Sequence, residues 1–486
     1  MTAFEELFAA MTRGRGESGL SDNSDGRALL GRVYDERYHA AEWQKNKYQV
    51  RSNLKRDTSA PYAAWITSDN PTSGPYQGTS FVWFPGDSGS VAALVIGTDG
   101  FGQDTGILGR PGHRRRLRAL GRLHRGQIWV KPDLLDVATS LPRVVSDAWP
   151  PMPGTIKAYG PVVYAAVVVR DDTDRELVED LLDLFFFEHA TGATGKTGSR
   201  WKARQAAISA ELFPRVDEEL VFELLRERRF VVLEGPPGTG KTRLAYRIAE
   251  RVGSHHVIQF HPARTYEDFV VGLHPKPTAE GLAFEVRPGD LLRANQAAAD
   301  REHVLVIDEL NRADLGRVLG ESIILFEPGE TERAVQLPYT PEGFDDTLRL
   351  HKSLFVLGTR NTADRSIARI DLAIRRRFAF VDVWPDLRVV AEESTDWARD
   401  VFDDVLTTFA EFADDEVLRL VPGHSYLLDP RPDLDSDGRE RRVVRRVERE
   451  LLPLLRDYLD ERLTGGASEQ IAGLLERIES RVLGVS

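Results

Sequence analysis

The chain has 486 residues, 41% of them hydrophobic, which suits two to four domains of ordinary globular composition. It has no cysteine, which excludes disulfides and thiolate metal sites, and no run near the roughly 20 apolar residues that span a bilayer. The net charge of −12 is uneven: residues 1–200 carry 24 Lys and Arg against 24 Asp and Glu, leaving 40 against 52 for the rest.

The first sixteen residues lack the charged-then-apolar layout of a secretion signal and read as a short amphipathic helix. The cytoplasm is the expected compartment, with no membrane partner. Residues 1–188 alternate strand-like runs (Phe81–Phe84, Val91–Ile96, Val162–Val169) with Gly/Pro/Ser turns, then read as a helix over Glu176–Phe187. This predicts a mixed α+β domain. Between Gly106 and Pro132 lie Arg110, Arg114, Arg115, Arg116, Arg118, Arg122, Arg125 and Lys131 without an acid among them. Such a run could meet a phosphate backbone, or could be a solvated helix face. The aromatics Trp43, Trp65, Trp83, Trp129 and Trp149, with Tyr34, Tyr38, Tyr48 and Tyr62, suit base stacking, but core packing is the plainer reading. Pro85-Gly86-Asp87-Ser88-Gly89-Ser90 evokes a serine-protease nucleophile turn. His39 is the only histidine before Ser88 and stands too close to it, so a tight turn is expected.

Residues 189–214, including TGATGKTGSR at 191–200, have linker composition. Apolar runs at Phe230–Leu233, Val257–Phe260, Val304–Ile307, Leu354–Leu357 and Phe378–Val383 then alternate with helical patterns. This predicts an α/β core over 215–386, its parallel sheet flanked by helices. Residues 387–486 are helix-patterned, broken by a Pro/Asp-rich stretch at Asp429–Asp437, and read as a helical lid.

Gly235-Pro236-Pro237-Gly238-Thr239-Gly240-Lys241-Thr242 satisfies the phosphate-loop pattern, between a strand and an amphipathic helix. Its glycines let backbone N–H groups turn toward phosphate oxygens, aided by the helix dipole. Lys241 is expected on the β- and γ-phosphates of ATP or GTP, and Thr242 on Mg²⁺. Gly192–Thr197 looks similar but has the wrong spacing and follows a helix. About 65 residues on, Val304–Ile307 runs into Asp308 and Glu309. Asp308 is expected to hold Mg²⁺ through water, and Glu309 to polarise the attacking water. Asn361, in Gly358–Ser366, is the candidate to hold that water from the opposite side. Arg375, Arg376 and Arg377 close the next helix. They read as arginine fingers toward a neighbouring subunit or as cationic helix capping.

Together these residues resemble the McrB-like branch of AAA+ proteins, the motors of modification-dependent restriction systems. The resemblance rests on Phe260–Phe269 with Gly272, on Asp308-Glu309-Leu310-Asn311-Arg312, on Asn361-Thr362-Ala363-Asp364-Arg365-Ser366, on Gly423-His424-Ser425-Tyr426 and on Glu450–Leu455. It covers about residues 215–463, and single pieces also occur in MoxR-like and dynein-related proteins. It implies an AAA+ P-loop NTPase core with a C-terminal helical lid, a homo-hexameric ring with nucleotide between subunits, Arg376 acting in trans and Arg377 in cis. It also implies a separate McrC-like nuclease partner and DNA reached through the N-terminal domain. Arg360 stands where the family often has Met. Two other readings stay open: a MoxR-like protein-remodelling chaperone, and a nucleotide-controlled switch with little turnover.

Overall fold

The computed structural model describes residues 1–12, 23–38, 48–53, 62–85, 89–149, 157–189, 192–193, 195–278, 281–327, 329–363, 372–429, 431 and 435–484. They divide into two units, Met1–Leu212 and Phe213–Ser486.

In the first unit, helices α1 (Ala3–Thr12) and α2 (Asn23–Arg37) precede strands β1 (Tyr48–Asn53), β2 (Tyr62–Thr67), β3 (Thr79–Pro85) and β4 (Ser90–Ile96). Then come α3 (Pro111–Leu123), β5 (Ile128–Val130), β6 (Val163–Val169), α4 (Arg175–Glu188) and α5 (Gly195–Leu212). The strands form an antiparallel sheet in the order β1-β2-β3-β4-β6-β5. Side chains alternate across it, and both faces are covered. Phe81 and Trp83 pack with Phe4 and Phe8 of α1 and Phe185 of α4, while Val82 and Phe84 pack with Val145 and Trp149. Burial on both faces is why these strands read as unbroken apolar runs.

One expectation changes here, and two readings left open by the sequence are decided. The linker predicted at 189–214 is a helix from Gly195 to Leu212. Its weak local composition is outweighed by distant partners: Trp201 stacks on Phe187 at 4.7 Å, and Arg200 pairs with the fully buried carboxylates of Asp180 and Asp183. The aromatics are core: Trp65, Trp83, Trp149 and Tyr38 are buried, and Tyr34, Tyr48, Tyr62 and Trp129 pack against the same cores. Trp43 lies outside the described residues. The basic run is largely consumed inside the unit. Arg115 and Lys131 are buried, Arg116 pairs with Glu188, Arg122 with Glu211, and the Lys131 ammonium donates to the Asp136 and Pro161 carbonyls (2.7 Å each). Burial would raise the Glu188 carboxyl, but His113 and Arg116 hold it down at about 2. Gly86–Ser88 and His39 lie outside the described residues. The flanking strands pair directly from Thr79↔Ile96 to Pro85↔Ser90.

The second unit begins with α6 (Glu218–Arg228), β7 (Phe230–Gly235), α7 (Lys241–Val252) and β8 (His255–Gln259). A hairpin follows, β9 (Val271–Thr278) with β10 (Gly281–Pro288), then α8 (Asp290–Asp300) and β11 (His303–Asp308). After the short pair β12 (Val335–Gln336) and β13 (Thr347–Leu348) come β14 (Leu354–Asn361) and β15 (Ala379–Asp382). The main sheet is all parallel, in the order β15-β7-β14-β11-β8, as its continuous apolar runs predict. The hairpin was not legible in the sequence, because Pro275, Pro277 and Pro288 interrupt any strand pattern. One of its faces exposes Leu273, Leu282 and Phe284; the other carries a Lys276–Glu285 ion pair. The lid comprises α9 (Leu387–Glu393), α10 (Asp396–Phe412), α11 (Ser436–Arg446), α12 (Leu452–Asp460) and α13 (Ser468–Leu483). They close around Phe402, Phe409, Leu451, Leu455 and Ile471.

Candidate active site

Sheet register brings the motifs to one edge. Asn361 lies opposite Gly235, Thr359 opposite Leu233, and Ile307 opposite Gly358, so β7, β14 and β11 present their carboxyl ends together. In an open parallel sheet that edge is where ligands bind.

The loop after β7 turns through Gly238 and Gly240, whose φ angles of +75° and +80° suit glycine, and enters α7 at Lys241. The Lys241 ammonium is buried and donates to the Gly235 (2.9 Å) and Pro236 (2.5 Å) carbonyls. Burial lowers its pKa to about 8, with Glu309 and Asp308 opposing the shift. The Thr242 hydroxyl donates to Asp308 Oδ1 at 2.9 Å. Hydroxyl and carboxylate are the hard oxygen donors that Mg²⁺ accepts, and they meet at the mouth of the loop, so these residues fit that ion.

Glu309 adopts a left-handed backbone (φ 54°, ψ 46°), rare for a residue with a side chain and costing on the order of 1–3 kcal/mol. Its N–H donates to Thr359 Oγ1 at 3.1 Å, and that hydroxyl donates in turn to Asp308 Oδ1 at 2.6 Å. Thr359 therefore joins both acids, a role the sequence reading missed; the only signal was a hydroxyl at a strand tip. Asn311 donates from Nδ2 to the Asn361 carbonyl at 3.2 Å, tying the two strand tips together. Asn361 Oδ1 accepts from the Ala363 N–H at 3.4 Å. Asp364–Asp371, the rest of that signature, lies outside the described residues.

Two further groups shape the site. Gly423 and Ser425 donate backbone N–H bonds to the Pro237 and Gly238 carbonyls, both at 2.9 Å, so the lid turn His424–Leu427 sits on the phosphate loop. A Cβ on Gly423 would lie 2.1 Å from the Gly238 carbonyl carbon. His424 accepts at Nδ1 from the Asp386 N–H (3.3 Å), which leaves the proton on Nε2, facing Gly240. Burial lowers its pKa, with the Arg243 charge adding to the effect, so the ring is neutral near pH 7. Second, Glu234 at the end of β7 is 2% exposed and receives Arg360 (3.0 Å) and Arg375 (3.3 Å). The unusual arginine at 360 thus pairs with a buried carboxylate. Burial and the Glu234 charge raise the carboxyl of neighbouring Asp382.

The three arginines have different environments. Arg375 reaches Glu234. Arg376 is exposed, 3.9 Å from Glu327. Arg377 is buried, donating to the Ala373 carbonyl (2.7 Å) and paired with Glu327 (3.3 Å), so its described partners are not on the phosphate loop.

Residues 230–378 match the AAA domain family of the dynein-related subfamily. This segment is an AAA+ domain. Its order β15-β7-β14-β11-β8, with the loop after the second of these strands, is the AAA+ P-loop NTPase core, followed by a helical lid. The AAA+ domain is McrB-like. The chain is 33% identical over 189 residues to the type IV methyl-directed restriction enzyme EcoKMcrB subunit of Escherichia coli (strain K12), covering 37% of this chain and 40% of that protein. It is 22% identical over 200 residues to the type II restriction enzyme BsuMI component YdiS of Bacillus subtilis (strain 168), covering 33% of this chain and 58% of that one. The chain thus aligns with about half the length of these relatives. No helix among the described residues is long and apolar enough to cross a membrane.

Proposed function

We propose that the chain is a cytoplasmic NTP-hydrolysing motor of a restriction system, working as a homo-hexameric ring beside a separate McrC-like nuclease. The observation that carries the reading is the Thr242–Asp308–Thr359–Glu309 chain of hydrogen bonds at the mouth of the phosphate loop. The names of both relatives point to restriction.

In this reading the loop amides from Gly235 to Thr242 cradle the phosphates of ATP or GTP. Lys241 leaves its loop carbonyls to neutralise the γ-phosphate. Bound Mg²⁺ would draw charge from the phosphate oxygens, and Thr242 and Asp308 are the residues to hold it. Glu309, turned out of line by its left-handed backbone, orients and polarises the attacking water, and Asn361 holds that water from the other strand tip. Exposed Arg376 is the finger toward a neighbouring subunit. Buried Arg377 supports the finger helix in cis. DNA is reached through the first unit; its arginine run is largely paired internally, and Arg110, Arg118, Arg122 and Arg125 are its members that stay exposed for that role, Arg122 while paired with Glu211.

The test is turnover with ATP and with GTP, alongside Glu309→Gln. The variant is expected to bind nucleotide like the parent and to lose turnover about 10²–10⁴-fold. Equal turnover in the two proteins would remove Glu309 from the mechanism.

A further inference from the structure

The lid carries a second cluster of positive charge. Between Ser436 and Glu450 the chain has six arginines and four acids. Val443, Val444 and Val447 are buried in the lid core, which turns Arg442, Arg445, Arg446 and Arg449 outward on the opposite face. Pro453 cannot donate to the Arg449 carbonyl, and the helix widens into a π turn over Val447–Leu451, with the Leu452 N–H bonding the Val447 carbonyl.

These four arginines and Arg431 line a cleft of about 410 Å³. Its carboxylates are Asp429 and Glu450, so among the described lining residues five positive charges face two negative ones. The carboxylates orient two of the arginines. Asp429 accepts from Arg442 (2.7 Å) and Glu450 from Arg446 (2.9 Å), with Arg446 also donating to the Leu428 carbonyl (2.9 Å). Arg445 and Arg449 are exposed and have no partner among the described residues. Guanidinium forks converging from several directions, with an excess of about three charges, suit a tetrahedral polyanion better than a carboxylate, which one fork saturates. The described lining shares no residue with the phosphate loop.

We propose that this arginine cleft binds a phosphate-bearing anion, either the backbone phosphates of a nucleic acid or a free polyphosphate. The experiment uses the full chain with Lys241→Ala, which removes the loop's own phosphate-binding ammonium. Binding of tripolyphosphate and of a labelled single-stranded DNA is measured with and without Arg445→Gln/Arg449→Gln, with circular dichroism to check folding. At least a tenfold loss of tripolyphosphate binding alone supports the free-polyphosphate source. A matching loss with DNA, and a log–log salt slope smaller by about 0.7 per lost phosphate contact, supports the backbone source. Unchanged binding of both probes, or no binding of either before the substitutions, overturns the proposal and leaves the arginines to an acidic protein surface.

Discussion

In the proposed function Lys241 serves both the fold and the nucleotide. Buried against the Gly235 and Pro236 carbonyls, it titrates near 8, so it carries its charge at pH 7 and loses it as pH rises through that value. Nucleotide phosphates favour the charged form. Above pH 8, binding is therefore expected to take up a proton, and affinity to fall by up to about tenfold per pH unit. Calorimetry at pH 9 in two buffers of different ionisation enthalpy checks this. Equal apparent enthalpies would mean that no proton is exchanged and that Lys241 is not the titrating contact. The same arithmetic applies to folding: the cost of burying the charged amine is present below about 8 and is relieved as pH rises toward the unfolded value.

At the scale of elements, the lid turn and the α5 helix make opposite points. The turn is short and local, yet its two backbone bonds fix the lid against the phosphate loop. Gly423→Ala would drive a methyl into the Gly238 carbonyl, and displacing the loop by about an ångström costs roughly 10²-fold in rate. Turnover by that variant, with thermal stability measured beside it, checks the point; parent-like turnover would show that the lid contact does not set the loop. The α5 helix depends instead on charge burial. Removing its Arg200 leaves Asp180 and Asp183 short of a partner in a fully buried position, so Arg200→Ala is expected to destabilise the first unit by about 3 kcal/mol. Arg37, Tyr38 and Arg204 still hold those carboxylates, and for that reason the loss stops short of unfolding. Urea denaturation monitored by tryptophan fluorescence reads it directly.

For the whole molecule, the decisive property is whether the site needs a second copy. Arg376 is the most exposed of the three, at 64%, with only a 3.9 Å contact to Glu327, whereas Arg375 pairs with the buried Glu234 and Arg377 is itself buried. If Arg376 completes a neighbour's site, Arg376→Ala loses about 10³–10⁵ in turnover. Mixing it with Glu309→Gln then restores part of the activity, because each Glu309→Gln subunit lends an intact finger to an intact acid. Mixtures that stay inactive would assign Arg376 to its own subunit. The acidic excess of residues 201–486, 40 Lys and Arg against 52 Asp and Glu, makes the unpaired arginines of the lid cleft an exception within it.

The phosphate loop, Asp308–Glu309 and the five core strands were legible in the sequence because each is written within a few contiguous residues. Eight residues set the loop, and an apolar run ending in two acids sets the strand tip. The same locality made the aromatics and the arginine run ambiguous, since a run of residues does not say which partners it meets. Tertiary structure decided those. It paired Arg116 with Glu188, 72 residues apart, and Arg360 with Glu234, 126 apart. It made a helix of 195–212 through carboxylates on α4, placed Thr359 between the two acids, and set His424 on the phosphate loop. Local spacing encodes backbone shape and the phosphate cradle; burial of charge across long separations exists only once the sheet has brought its strand ends together.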